Sequence, residues 1–106
     1  MNFKIVLAYC TFPNETLAAD ISERLVTEGT VACANVFPPM RSIYRWNNQL
    51  QSESEVAVIF KTSLLKQEAL KERIRAVHPY AVPSLVFLPV EGGNPDFLNW
   101  VYGQSL

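Results

Sequence analysis

Only a few side chains in this sequence could carry chemistry, and they are far apart. There is one histidine, His78, and two cysteines, Cys10 and Cys33. Either cysteine with His78 is the only available nucleophile and base. Each also has a plainer reading: Cys10 as a small core residue at a strand end, His78 as a cation facing the last carbonyls of a helix. There is no C-x-x-C and no histidine pair one helical turn apart, so a metal site would have to be assembled from distant residues or from different subunits. Thiolate and imidazole together favour a soft or borderline ion, copper or zinc. The sequence has no glycine-rich phosphate loop, no G-x-S-x-G elbow and no framework of paired carboxylates, so nothing in it asks for an enzyme. The aromatic-basic cluster Tyr44-Arg45-Trp46 could stack on single-stranded RNA, but Trp, Tyr and Arg in a hairpin read first as interface anchors. A net charge of -1 with 18% charged residues supplies no field for nucleic acid or an anionic membrane.

The elements that must position these groups follow from local signals. Phe3 to Cys10 is an almost continuous apolar run of strand length, the pattern expected of a central strand covered on both faces. Pro13-Asn14-Glu15 stops it and caps a helix whose stripe is Leu17, Ala18, Ile21, Leu25 and Val26, closed by Gly29. Val31 to Thr62 reads as a long hairpin reversed at Asn47-Asn48 and interrupted in its first arm by Pro38-Pro39. Such a hairpin overhangs its own domain, and its unpaired apolar edge needs a partner, so an oligomer is expected. Thr62 or Ser63 caps a second helix running through His78, with inner residues Leu70, Ile74 and Val77; Pro79 ends it. Tyr80 to Val90 is expected as a strand, and Asn94-Pro95-Asp96 opens a short helix carrying Phe97, Leu98 and Val101. The order predicts an α+β, ferredoxin-like split βαβ sandwich with an antiparallel sheet, in a single domain over 1–106. No apolar run is long enough to span a bilayer and the N-terminal apolar run is short for a signal peptide, so a cytoplasmic protein is expected.

Six blocks in order, ACANVFP (Ala32 to Pro38), SIYRW (Ser42 to Trp46), Glu55 to Thr62 ending IFKT, HPYAVP (His78 to Pro83), LPV (Leu88 to Val90) and GNPDFLNW (Gly93 to Trp100), together resemble the CutA family of divalent-cation tolerance proteins. The resemblance spans essentially the whole chain. It implies a homotrimer of ferredoxin-like subunits whose hairpins join their neighbours' sheet edges, as in PII-type signalling proteins, with Tyr44, Arg45 and Trp46 at the trimer interface. It also implies Cys10 and His78 as copper ligands, with a carboxylate directly after the HPYxxP proline. Here that position is Ser84, a poor substitute for a charged donor. The matched polar residues Glu55, Lys61, Tyr80 and Asn94 are expected to line a cleft between subunits. Two functions follow from the resemblance: a copper- or divalent-cation-binding tolerance protein without a defined reaction, or a PII-like regulatory or scaffold trimer that binds a small ligand or partner in its clefts.

Overall fold

The computed structural model describes residues 4–105; Phe3, expected to open the first strand, lies outside the described residues. The chain runs β1 (Ile5–Phe12), α1 (Glu15–Thr27), β2 (Cys33–Val36), β3 (Met40–Trp46), β4 (Gln49–Ser63), α2 (Gln67–Val77), β5 (Val86–Pro89) and α3 (Pro95–Gln104). The sheet is antiparallel, in the order β2-β4-β1-β5, with β3 pairing the outer half of β4. This is the split βαβ arrangement the element order predicts.

Local sequence accounts for most boundaries. Asn14 Oδ1 accepts the Leu17 N–H at 2.8 Å and so satisfies one of the helix's orphan donors. At the other end Gly29 adopts φ 79°, and the Gly29 and Thr30 N–H groups reach back to the Val26 and Leu25 carbonyls, both at 3.0 Å. That paired closure needs a left-handed residue, which glycine supplies without a Cβ clash. Pro38 and Pro39 lie in the gap between β2 and β3, where a ladder donor is absent. Asn47 and Asn48 take φ 51° and 63°, the two positive values of a type I′ turn, and Trp46 pairs Gln49 directly across it.

Two boundaries differ from the sequence expectation. Ser63 caps a 3₁₀ turn over Leu64–Lys66, its Oγ accepting the Leu65 N–H, and α2 begins only after that turn. The strand expected over Tyr80 to Val90 shrinks to Val86–Pro89. Pro79 and Pro83 offer no ladder donors, the Tyr80 N–H is taken by the His78 ring, and the Ser84 hydroxyl is taken by Thr11. The segment between α2 and β5 therefore leaves the sheet and folds across its end.

One face of the sheet is fully covered and the other only at one end, so β1 is covered on both faces only in part. On one face Ala8, Cys10, Phe12, Val56, Val58 and Phe60 pack against Ala18, Ile21 and Leu25 of α1 and Leu70 and Ile74 of α2. On the other, α3 sets Val101 and Leu98 against Ile5 at one end only. The unshielded remainder includes Val86 and Leu88, and the hairpin carries exposed Ile43 and Leu50. The molecule measures 48 × 25 × 24 Å because β3 and the first half of β4 project beyond the body.

Candidate functional site

β1 ends in a node built on the Thr11 carbonyl. The Cys10 thiol donates to that oxygen at 3.7 Å, and His78 Nε2 lies 2.7 Å from it. The Tyr80 N–H donates to His78 Nδ1 at 3.1 Å, so the proton of the ring sits on Nε2, which donates to Thr11. The ring stacks on Phe12 at 4.7 Å between centroids and 25° between planes. This corrects the reading of His78 as a cation facing helix carbonyls: both ring nitrogens are committed, one of them as an acceptor. Cys10 is fully buried, and burial pushes its thiol up to about 12, with the Thr11 hydrogen bond opposing and the Glu55 charge adding to the shift. A thiol so held is no nucleophile. The hydroxyls of Thr11 and Ser84 bond to each other, so the Ser84 oxygen is already engaged.

The donor chemistry sets what this node can hold. Sulfur and nitrogen converge on one oxygen as hydrogen-bond donors, and they can turn to a soft ion only after the thiol and Nε2 each give up their proton and both hydrogen bonds to Thr11, together with the Tyr80 N–H bond to Nδ1 if the ring proton moves there. Among the described residues no three His, Cys, Asp or Glu side chains gather into a metal cluster. Cys33, half-buried beside Lys61 across the β2–β4 ladder, takes no part.

A second feature adjoins the node. Where β4 passes from sheet to hairpin, Glu55 Oε2 accepts from the Tyr80 hydroxyl at 2.9 Å. Above this pair opens a cleft of about 560 Å³ lined by Thr11, Tyr44, Arg45, Trp46, Glu55 and Tyr80, with Ala81, Val82 and Ser84. Burial pushes the Tyr80 phenol up to about 12, followed by its hydrogen bond to Glu55 and by the charge of that carboxylate.

Of the residues expected in a cleft, Glu55 and Tyr80 meet, whereas Lys61 and Asn94 do not join them. Lys61 lies further along β4, about 20 Å away by strand rise. It donates to Asn35 Oδ1 at 2.7 Å and sits 5.7 Å from the centre of the Phe97 ring. Asn94 caps α3, accepting the Asp96 N–H at 3.0 Å. Tyr44, Arg45 and Trp46, expected first as interface anchors, line the cleft within the single chain. The signal was present in the alternation of the hairpin, which puts Ser42, Tyr44 and Trp46 on the same side as Glu53 and Glu55.

Residues 6–104 match the CutA1 divalent ion tolerance protein family. The chain belongs to that family. It is 47% identical to the protein CutA homolog of Xenopus laevis over 89% of this chain and 62% of that protein, so it spans less than two thirds of that relative's length. It is 39% identical to the divalent-cation tolerance protein CutA of Escherichia coli over 94% of this chain and 89% of that one. Among solved structures, the divalent cation tolerance protein of Thermus thermophilus superimposes with a TM-score of 0.92 at 37% identity, covering 95% of this chain and 98% of that one. The family and the Escherichia coli and Thermus thermophilus relatives are named for tolerance to divalent cations or ions rather than for a reaction.

Proposed function

We propose that this chain works in divalent-cation tolerance as a cytoplasmic homotrimer that takes up copper weakly at Cys10 and His78, without catalysing a reaction. The observation carrying this reading is the convergence of the Cys10 sulfur and the His78 Nε2 on one carbonyl oxygen, which brings a soft and a borderline donor together at the end of β1. Uptake is weak because the thiol must first lose a proton held up to about 12, and because Ser84 offers a hydroxyl where the resemblance leads one to expect a carboxylate. The trimer is supported by the projecting hairpin, whose β3 pairs only with β4 among the described strands, and by exposed Val86 and Leu88 on the uncovered sheet face.

Native mass spectrometry before and after copper exposure tests both parts. The wild-type chain is expected as a trimer retaining about one copper per subunit. Cys10→Ala and His78→Ala should each lose the copper and keep the trimer mass; copper retained in both variants removes this site. A second reading, a PII-like regulatory trimer that binds a small ligand, is favoured by the aromatic cleft beside Glu55.

A further inference from the structure

His78 is held from both sides. Its ring lies between Phe12, stacked at 4.7 Å and 25°, and Tyr80, tilted at 4.7 Å and 55°. Its nitrogens are divided in the same way: Nε2–H donates to the Thr11 carbonyl and Nδ1 accepts the Tyr80 N–H. Tyr80 therefore touches the imidazole twice, through its ring and through its backbone.

What places Tyr80 comes from elsewhere in the chain. The segment over residues 79–85 belongs to no helix or strand, so no ladder sets the direction of its N–H groups. Pro79 fixes its own φ but not its ψ, and that ψ aims the Tyr80 N–H. Two side-chain bonds tie the segment down: the Tyr80 hydroxyl donates to Glu55 Oε2 at 2.9 Å, and the hydroxyls of Ser84 and Thr11 bond to each other. The first holds Tyr80 itself, through a carboxylate on β4 that is only 8% exposed.

The imidazole can offer a lone pair in two ways, and the Tyr80 N–H opposes both. On Nδ1 the lone pair is already engaged by it. On Nε2 a lone pair appears only when the proton there is lost and one is gained at Nδ1, where the new N–H would point at that of Tyr80.

We propose that Tyr80 is the positioning residue of the node: anchored by Glu55, it locks His78 in the Nε2–H tautomer and withholds both ring nitrogens from a metal ion until the Glu55–Tyr80 bond is broken. This rests on the reading of His78 as a copper ligand and adds its regulation. Glu55 stands where β4 passes from the sheet into the hairpin, so the lock ties the node to the placement of the hairpin on the body. Every member of it belongs to one chain, and it does not call for an exposed cleft.

The test uses the full, tag-free chain in its native assembly, labelled with nitrogen-15 and free of metal. His78 is the one histidine in the sequence, so a two-bond proton–nitrogen correlation reports its tautomer without ambiguity. In the wild type one ring nitrogen should show the shift of a protonated nitrogen and the other that of an unprotonated one. Tyr80→Phe, which keeps the ring and removes the anchor, should draw both shifts towards a common average, and Glu55→Ala should do the same from the other side. Glu55→Gln, whose amide oxygen still accepts the phenol, should keep the wild-type pattern, which separates the hydrogen bond from the charge. Copper(I), delivered by competition with a chromophoric chelator, should bind Tyr80→Phe about tenfold more tightly than the wild type, the factor by which the lock depletes the competent state. An unchanged pattern in both Tyr80→Phe and Glu55→Ala, a pattern lost equally in Glu55→Gln, or copper(I) bound equally by the wild type and Tyr80→Phe would each overturn the proposal. The nitrogen pattern is read without metal, so the expected shifts in chains that take up no copper would sustain the lock and sink the copper reading alone.

Discussion

Removing one oxygen atom, by Tyr80→Phe, takes from Glu55 its only side-chain hydrogen-bond donor among the described residues. Hydrogen bonds to a charged group contribute about 1.5–3 kcal/mol, and partial exposure of Tyr80 reduces this to about 1–2 kcal/mol. Urea unfolding should register that loss for Tyr80→Phe, and Glu55→Gln should lose less, because an amide oxygen can still accept from the phenol. Combining the two should give less than the sum of their separate costs, as expected for residues in direct contact. The phenol supplies a second, independent reading. Its pKa stands near 12 rather than 10.0, first through burial and then through Glu55, so removing the charge should lower it part of the way and leave the burial contribution in place. Because the folded value is raised, the stability linked to Tyr80 is fully present below pH 10 and is lost as pH rises towards 12. Ultraviolet titration of tyrosinate in the wild type, Glu55→Gln and Tyr80→Phe follows this directly. If no tyrosine titrates earlier in Glu55→Gln, or if Tyr80→Phe unfolds at the same urea concentration as the wild type, the pair is not the anchor described above.

Other outcomes follow from the same geometry. A shift of the Cys10 thiol from 9.0 to about 12 lowers its thiolate fraction about 1000-fold. Alkylation of native Cys10 at pH 8 should therefore be slower than that of the unfolded chain by at least that factor, which mass-resolved labelling would detect; equal rates would contradict it. Gly29→Ala forces a Cβ into φ 79° and should destabilise the fold by about 1–2 kcal/mol in urea unfolding. Asn48→Gly relieves the second left-handed position of the hairpin turn and should raise stability by a few tenths of a kcal/mol; a loss would argue against the type I′ geometry.

Much of the scaffold was legible because its signals act over a few residues. Asn14 and Asn94 cap the helices that follow them, Gly29 ends α1, Pro38-Pro39 divides the first arm and Asn47-Asn48 turns the hairpin, each through its own backbone conformation or one nearby N–H. The apolar stripe of α1 and the run through β1 likewise announced which faces would be buried. The strand expected from Tyr80 failed for a reason only partly local: the Tyr80 N–H is claimed by the nearby His78 ring, and the Ser84 hydroxyl is tied to Thr11, far away in sequence.

The sites depended still more on the assembled sheet. Cys10 and His78 were recognisable as the rare chemical groups, but that both reach the Thr11 carbonyl depends on α2 delivering His78 to the end of β1. Lys61 and Glu55 share a strand and a face, yet strand rise carries Lys61 towards Asn35, while Tyr44 and Trp46 of the hairpin line the cleft beside Glu55. Sequence by itself determined the elements, their caps and turns, and the family, since those reside in residue type and short spacing. Tertiary structure alone decided that a thiol, an imidazole and a buried carboxylate would stand beside an aromatic cleft, because register and crossover bring together side chains that the chain keeps far apart.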